Sequence, residues 1–288
     1  MENKSAKQLY GLIGYPVKHS YSAVMHNAAF AHCKMNAVYE LFEVPPEKCK
    51  GFLEKTIFEK KIKGFNVTVP HKEKVYAYLK EKGGKISADA AKMKAVNTVV
   101  VEKEGRLSGF NTDGAGFMQD LIEHGVKVKD KNISLIGAGG GAKAVVYVLA
   151  CERPKNILIF DADPLKSHSL VDIVKEFYPE QSIEAVDSME ALSIKETDLL
   201  INATPVGMKE TDPLLVKKEW LHQEIFVYDL IYNPTETKLL KMAKAAGCRT
   251  ANGLGMLLHQ GCLAFVHWTH KEAPVDVMRR ALEERLHA

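Results

Sequence analysis

The sequence predicts a two-domain α/β protein whose second domain is a doubly wound parallel sheet. Three observations predict it. Short apolar runs alternate with amphipathic stretches along the whole chain, the habit of βαβ proteins. The chain has 288 residues, more than the roughly 100–200 of one ordinary domain. A glycine-rich turn, Gly137 to Ala142, sits between a strand-like run and a helical one.

The elements follow in order. Leu9 to Gly14 reads as a first strand that ends in a Gly-Tyr-Pro turn, and Ser22 to Cys33 as a helix with Ser22 at its N-cap. Tyr39 to Val44 reads as a strand and Cys49 to Glu59 as a helix. Lys63 to Val69 is a strand stopped by Pro70, with a helix over Lys72 to Lys82. Ala95 to Val101 and Arg106 to Phe110 suit a hairpin around Glu104-Gly105. A second βα series opens with the strand Ile133 to Ile136 and a helix through about Ala150. Strands at Asn156 to Phe160, Leu199 to Asn202 and Ile225 to Leu230 follow. Thr237 to Ala246 is a helix closed by Gly247, and Met256 to Trp268 and Val275 to His287 are helical. The domain change is expected near Thr112.

Gly137-Ala138-Gly139-Gly140-Gly141-Ala142 fits G-x-G-x-x-A between a strand and a helix. The first glycine permits the tight turn, the second lets backbone approach a pyrophosphate, and the third small residue lets helix pack on strand. The helix N-terminus then receives the negative charge. Asp161 ends the next strand, where a carboxylate can accept both ribose hydroxyls of NAD and repel the 2′-phosphate of NADP. Ala162 and Asp163 add no positive charge, although Lys166 is near in sequence. The alternative is that Asp161 only ends a strand and opens a turn into Pro164. The expected cofactor is NAD, with NADP second.

Composition narrows the class. A net charge of +3, from 39 Lys+Arg against 36 Asp+Glu, is no field for wrapping nucleic acid. No apolar run reaches the roughly 18 residues of a membrane span, and the first residues lack the apolar core of a signal peptide. Five scattered cysteines form no C-x-x-C pair and no metal-ligand spacing, which suits reduced thiols in a cytoplasm. No metal, membrane or nucleic-acid partner is expected. The expectation is a cytoplasmic monomer or homodimer acting on a small molecule.

Four polar clusters fall at the ends of predicted strands, where α/β enzymes keep their sites. They are Gly14 to Ser22, Asn66 to Lys72, Ala95 to Thr98, and Gly109 to Gly114. Singly, each has a structural reading. Ser20, Ser22 and Asp113 could cap helices, Asn97 and Asn111 could serve turns, and Lys72 could be a surface cation.

Taken together and in order, the clusters resemble the shikimate/quinate dehydrogenase family. The resemblance rests on Gly14-Tyr15-Pro16…His19-Ser20-Tyr21-Ser22…His26-Asn27, Gly64-Phe65-Asn66-Val67-Thr68-Val69-Pro70-His71-Lys72, Ala95-Val96-Asn97-Thr98 and Asn111-Thr112-Asp113-Gly114. It continues with Asn202-Ala203-Thr204-Pro205-Val206-Gly207-Met208 and Asn252-Gly253-Leu254-Gly255-Met256-Leu257…Gln260. It implies an N-terminal α/β substrate domain over residues 1–112, completed by 253–288 through a returning C-terminal helix. Residues 113–252 would form a Rossmann-type dinucleotide-binding domain.

The same resemblance implies a reversible hydride transfer between shikimate and 3-dehydroshikimate. Quinate dehydrogenase, or an enzyme that takes both acids, is the near alternative, and a non-catalytic nucleotide-binding regulator a more distant one. Lys72 and Asp113 would be the catalytic pair. Ser20 and Ser22 would hold the substrate carboxylate, and Thr68, Asn97, Asp113 and Gln260 its ring hydroxyls, with Asn66 and Tyr232 nearby. Gly137, Ala138, Gly139, Gly140, Gly141, Asp161, Thr204, Leu230, Gly253 and Met256 would meet the cofactor. The chain departs from the family pattern at Ala23, where proline is usual, and at Lys94, where glycine is common. The largest departure is Asp161-Ala162-Asp163, where NADP-dependent members carry Asn-Arg-Thr.

Overall fold

The computed structural model describes residues 6–287 and resolves them into two compact units. One contains residues 6–116 and 257–287, the other 117–256. The divisions fall at Gly116/Phe117 and Met256/Leu257, four residues beyond the expected positions. The shift matters for Asp113, which was assigned to the dinucleotide domain and lies in the first unit. Its side chain and backbone are hydrogen-bonded to Asn97 and Asn111 of that unit.

The first unit is built on a six-stranded mixed sheet. β1 (Gln8–Gly14) lies between β2 (Ala37–Glu43) and β3 (Ile62–Val67), parallel to both. β3 pairs antiparallel with β5 (Thr98–Val101), β5 pairs antiparallel with β6 (Leu107–Phe110), and β4 (Lys85–Ile86) closes the edge parallel to β6. The helices are α1 (Ser22–His32), α2 (Cys49–Gly51), α3 (Ile57–Glu59), α4 (Lys72–Glu81) and α5 (Ala88–Met93). The buried centre is apolar: Ile13, Phe52, Leu53, Ile57, Phe65, Val75, Leu79, Val96 and Val99 pack together.

Three local expectations change. The helix expected over 49–59 is interrupted by a π turn at Phe52–Thr56 that separates α2 from α3. The β5–β6 hairpin forms, with Glu104 and Gly105 at positive φ, but its first strand starts at Thr98 rather than Ala95. Val96 instead donates to the Lys72 carbonyl, which ties this segment to the start of α4. Ser22 is the first residue of α1, and Tyr21 occupies the N-cap without a side-chain bond.

The second unit carries six parallel strands. They are β7 (Asn132–Ile136), β8 (Asn156–Phe160), β9 (Ile183–Ala185), β10 (Leu199–Asn202), β11 (Phe226–Asp229) and β12 (Arg249–Asn252). The order β12-β11-β10-β7-β8-β9 reverses between β10 and β7, the switch point of a doubly wound sheet. α6 (Asp113–Glu123) leads into this unit, followed by α7 (Gly140–Cys151), α8 (Pro164–Lys175) and α9 (Lys238–Ala245). Apolar side chains cover both faces of the sheet, Leu135, Val145, Leu149 and Ile157 on one and Leu200, Val227 and Leu240 on the other.

α8 was not read from the sequence, although Pro164 at its start and Asp163 as its cap are sound helix-opening signals. β9 has three residues and β12 is the polar run Arg249-Thr250-Ala251-Asn252, so neither shows the apolar signature of a strand. α10 (Leu254–Thr269) and α11 (Val275–His287) end the described chain, and α11 packs on α1. Trp268 of α10 donates its indole N–H to the Val99 carbonyl at 2.9 Å. A Cβ at Gly64 would run into that indole. No helix among the described residues is long and apolar enough to cross a membrane.

Candidate functional site

In the first unit, the strands end in the polar residues that the sequence singled out. Pro70 breaks the backbone pattern after β3 and α4 starts two residues later, which puts Lys72 on the first turn. Lys72 Nζ lies 2.7 Å from Asp113 Oδ2. Asp113 opens α6, and its N–H donates to Asn111 Oδ1 at 3.1 Å. Asn111 in turn donates to the Ala95 carbonyl.

Asn97 makes this an organised site rather than a lone ion pair. Its Nδ2 donates to Asp113 Oδ1 at 2.8 Å and to Thr112 Oγ1 at 2.9 Å. Its Oδ1 accepts the Thr112 N–H at 2.8 Å and the Thr98 hydroxyl at 3.0 Å. Asp113 therefore has one oxygen fixed by an amide and the other left to the lysine. Asn66 continues the pattern, donating to Thr98 Oγ1 and to the Asn97 carbonyl and accepting from the Tyr39 phenol at 2.8 Å. Asn66, Asn97, Thr98, Thr112 and Asp113 are all buried, so unpaired polar atoms among them would be costly.

The serine pair and Gln260 belong to the same unit. Ser20 Oγ donates to Ser22 Oγ at 3.1 Å and accepts the Ser22 N–H at 3.3 Å. The serines thus hold each other and neither caps the helix. Thr68 follows β3, its N–H bonded to the Ile13 carbonyl at 2.9 Å. A Cβ on Gly14 would collide with its methyl group. Gln260 is buried on α10, and a Cβ on Gly116 would lie 2.6 Å from its backbone nitrogen. Glycine one turn after Asp113 is what allows α6 and α10 to meet there.

Tyr232 follows β11 and belongs to the second unit, whereas the other expected substrate contacts belong to the first. Thr98, Thr112 and Tyr39 were not among the expected site residues. Thr98 and Thr112 adjoin Asn97 and Asp113 in sequence, which was a usable signal. Tyr39 carried none, because inside an apolar strand it reads as core.

The second unit presents a phosphate cradle. Gly137 has φ +101° and its missing Cβ would lie 2.8 Å from Thr204 Cγ2, so only glycine fits there. Gly139 and Gly140 face open space, and Gly139 caps α7 with no side chain covering the helix N–H groups. Exposed donors at a helix start beside side-chain-free backbone fit a pyrophosphate. Ala142, buried behind them, lets α7 lie close to the sheet.

Asp161 holds the loop: Oδ2 accepts the Ala138 N–H at 2.7 Å and Oδ1 the Asp163 N–H at 2.9 Å. Each oxygen keeps a lone pair for a further donor. Lys166 Nζ is 3.7 Å from Asp163 Oδ2. Thr204 is fixed by Asn202, whose amide also donates to Asp229 at 3.0 Å. Burial pushes the Asp229 carboxyl up to about 6, opposed by the Thr237 hydroxyl, the Ile231 N–H and the Asn202 amide. A Cβ on Gly253 would strike the Leu230 carbonyl. Leu230 also approaches Gly141, and Met256 is buried in the core of the same unit.

Comparison with known proteins agrees with this geometry. Residues 12–99 match the family model described as the shikimate dehydrogenase substrate binding domain. Residues 253–283 match that of the shikimate 5′-dehydrogenase C-terminal domain. The shikimate dehydrogenase (NADP+) of Methanocaldococcus jannaschii is 42% identical over 289 residues, with 97% of each chain covered. Among solved structures, a shikimate dehydrogenase in complex with NADP+ superposes with TM-score 0.89 at 41% identity, over 97% of this chain and 96% of that one. The Listeria monocytogenes shikimate 5-dehydrogenase in complex with shikimate and NAD gives 0.88 at 37%, with 98% of each covered. The chain belongs to the shikimate dehydrogenase family.

Proposed function

We propose that this protein oxidises shikimate reversibly to 3-dehydroshikimate with a nicotinamide dinucleotide. The observation that carries the reading is the Lys72–Asp113 pair, largely buried and oriented by Asn97, in a unit that also holds two serines suited to a carboxylate. Bound in the glycine cradle, the nicotinamide supplies or accepts the hydride. The protein's own residues handle the proton. As the neutral amine, Lys72 Nζ takes the hydroxyl proton while the alcohol becomes a ketone, leaving the ammonium, which returns that proton in the reverse direction; Asp113 Oδ2 keeps Nζ in place. The Ser20 and Ser22 hydroxyls hold the acid group, while Thr68, Asn97 and Gln260 hydrogen-bond the ring hydroxyls, with Asn66 behind them.

The cofactor phosphate is the finer question. The Methanocaldococcus relative is named for NADP+, against an expectation that put NAD first. The residues of this chain argue for NAD. Asp161 and Asp163 stand where a 2′-phosphate would need cations, and Lys166 already faces Asp163. The test is a matrix of shikimate and quinate against NAD and NADP with purified protein. Shikimate with NAD should give the highest kcat/KM. A clear preference for quinate would replace the substrate, and a clear preference for NADP would overturn the role of Asp161.

A further inference from the structure

Asp229 is a buried carboxylate with no cation to answer it. It ends β11, fully buried, and three neutral groups hold it. The Asn202 amide donates to Oδ1 at 3.0 Å and the Ile231 N–H to the same oxygen at 3.1 Å, while the Thr237 hydroxyl donates to Oδ2 at 2.7 Å. No lysine, arginine or histidine among the described residues pairs with it.

The surroundings nevertheless suit the ionised form. Asn202 keeps its nitrogen toward Asp229, because its oxygen accepts the Thr204 N–H at 3.0 Å and the Thr204 hydroxyl at 2.7 Å. Thr237 accepts the Leu240 N–H at 3.3 Å, which leaves its own proton for the carboxylate. A proton on Asp229 would meet donors and displace one of them. Burial raises the carboxyl to about 6, so at neutral pH the group still carries its charge.

The fold indicates what this charge faces. Ile136, Asn202 and Asp229 stand in one register row across β7, β10 and β11. At about 4.8 Å per strand, the row puts the Asp229 backbone about 10 Å from the end of β7, where the glycine loop begins. A dinucleotide crosses a doubly wound sheet at the switch point, with one nucleotide on each side. Asp161 follows β8, where the adenosine ribose is expected, which leaves the nicotinamide half the carboxyl ends of β10 and β11. Thr204 and Leu230, both expected to meet the cofactor, adjoin the row: Asn202 fixes Thr204, and the Leu230 N–H donates to the Asn202 carbonyl at 2.9 Å.

The oxidised nicotinamide ring is a cation and the reduced ring is neutral, while the rest of the molecule is unchanged. A fixed negative charge without a counter-ion tells them apart through space. We propose that Asp229 is the counter-charge of the oxidised nicotinamide ring and raises the affinity of this protein for NAD+ relative to NADH. The inference rests on the cofactor reading given above. Tighter NAD+ also draws the equilibrium on the protein toward NAD+ and the alcohol.

Asp229→Asn removes the charge with little change in volume. Calorimetric dissociation constants for NAD+, NADH and ADP-ribose, which lacks the ring, give the first readout. The variant should weaken NAD+ at least about fivefold and leave NADH and ADP-ribose within about twofold, as expected of unit charges roughly 10 Å apart at an effective dielectric near 20. An equal loss for all three would show that Asp229 only braces the loops and would overturn the proposal. So would an NAD+ affinity within twofold of the parent.

An amide at position 229 turns an N–H toward one of the three donors, so the second readout needs only the parent protein. The Asp229 carboxyl carbon, labelled with carbon-13, is titrated by NMR with each nucleotide at saturation. By linkage, the ring must favour the carboxylate as much as the carboxylate favours the ring. The midpoint with NAD+ should lie about 0.7 pH unit or more below that with NADH, and ADP-ribose should match NADH. Equal midpoints with all three bound would overturn the inference alone. Failure to bind any of the three would overturn the cofactor reading and the inference with it.

Discussion

Lys72 and Asp113 are 41 residues apart in the chain, and their charged atoms meet at 2.7 Å with the side chains 19% and 10% exposed. Asp113 uses its other oxygen on Asn97, so the lysine meets a carboxylate that cannot rotate away. Lys72→Met preserves the side chain's length and removes its proton-carrying atom. It should lower kcat by about 10²-fold or more in either direction of reaction. Cofactor affinity, measured by quenching of protein fluorescence, should stay within about twofold, because the glycine cradle is built without Lys72. Retention of most of the turnover would remove the proton role.

Gly116 tests the placement of Gln260 without touching Gln260. A methyl group there would sit 2.6 Å from the Gln260 backbone nitrogen, a distance that real contacts do not allow. The helices must separate, and both Gln260 and Asp113 lie on the surfaces that move. Gly116→Ala should cut kcat/KM for shikimate at least tenfold, on the order of 1.4 kcal/mol of lost transition-state binding. An unchanged kcat/KM would show that Gln260 does not need its present position.

The cofactor preference can be moved from the side of the protein. Asp161→Asn keeps an oxygen for the Ala138 N–H while removing the charge proposed above to exclude a 2′-phosphate. Ala162→Arg adds a planar cation that can pair with a 2′-phosphate. Together they should shift the ratio of kcat/KM for NADP over NAD by roughly tenfold or more toward NADP, since one bidentate phosphate contact is a charge-assisted bond. Steady-state rates with both cofactors check it, and an unmoved ratio would place the selectivity elsewhere.

The parts of this site that were legible in the sequence were those carried by local rules. The glycine loop declares itself through what a Cβ would strike, and Gly137 with its positive φ bears that out. Lys72 and Asp113 could be singled out because each lies in a polar cluster after a predicted strand, although the helix that Asp113 opens was not read. Their partnership was visible only by resemblance, since nothing local brings residues 41 positions apart together. A doubly wound sheet followed from alternation and the glycine turn, yet β9 and β12, the two edges of the order β12-β11-β10-β7-β8-β9, were invisible because edge strands need little apolar surface. Tyr39 was hidden for the opposite reason. A tyrosine in an apolar strand reads as core, and its hydroxyl acquires meaning only when Asn66, twenty-seven residues on, is folded against it.

Two buried groups should give the protein opposite responses to acid. Burial pushes the His26 imidazole down to about 3, with Asn66 alongside opposing the shift. The unfolded chain takes up that proton near 6.5, so this contribution to stability is intact above 6.5 and is lost as pH falls toward 3. By pH 4 the loss is about 3 kcal/mol. Asp229 runs the other way. Its carboxyl is raised from 3.8 to about 6 by burial, so its contribution is full below 3.8 and is lost as pH rises through 6. Between pH 7 and pH 4, acid therefore returns about 2 kcal/mol through Asp229. The two nearly cancel, and each substitution should unmask the other. Relative to the parent, His26→Phe should gain stability on acidification from pH 7 to pH 4, and Asp229→Asn should lose it. Overpacking at the stacked His26 site lowers the His26→Phe variant at every pH, so the slope rather than the level carries the result. Urea midpoints of the three proteins at the two pH values measure it, and parallel lines would mean that neither group titrates as its burial requires.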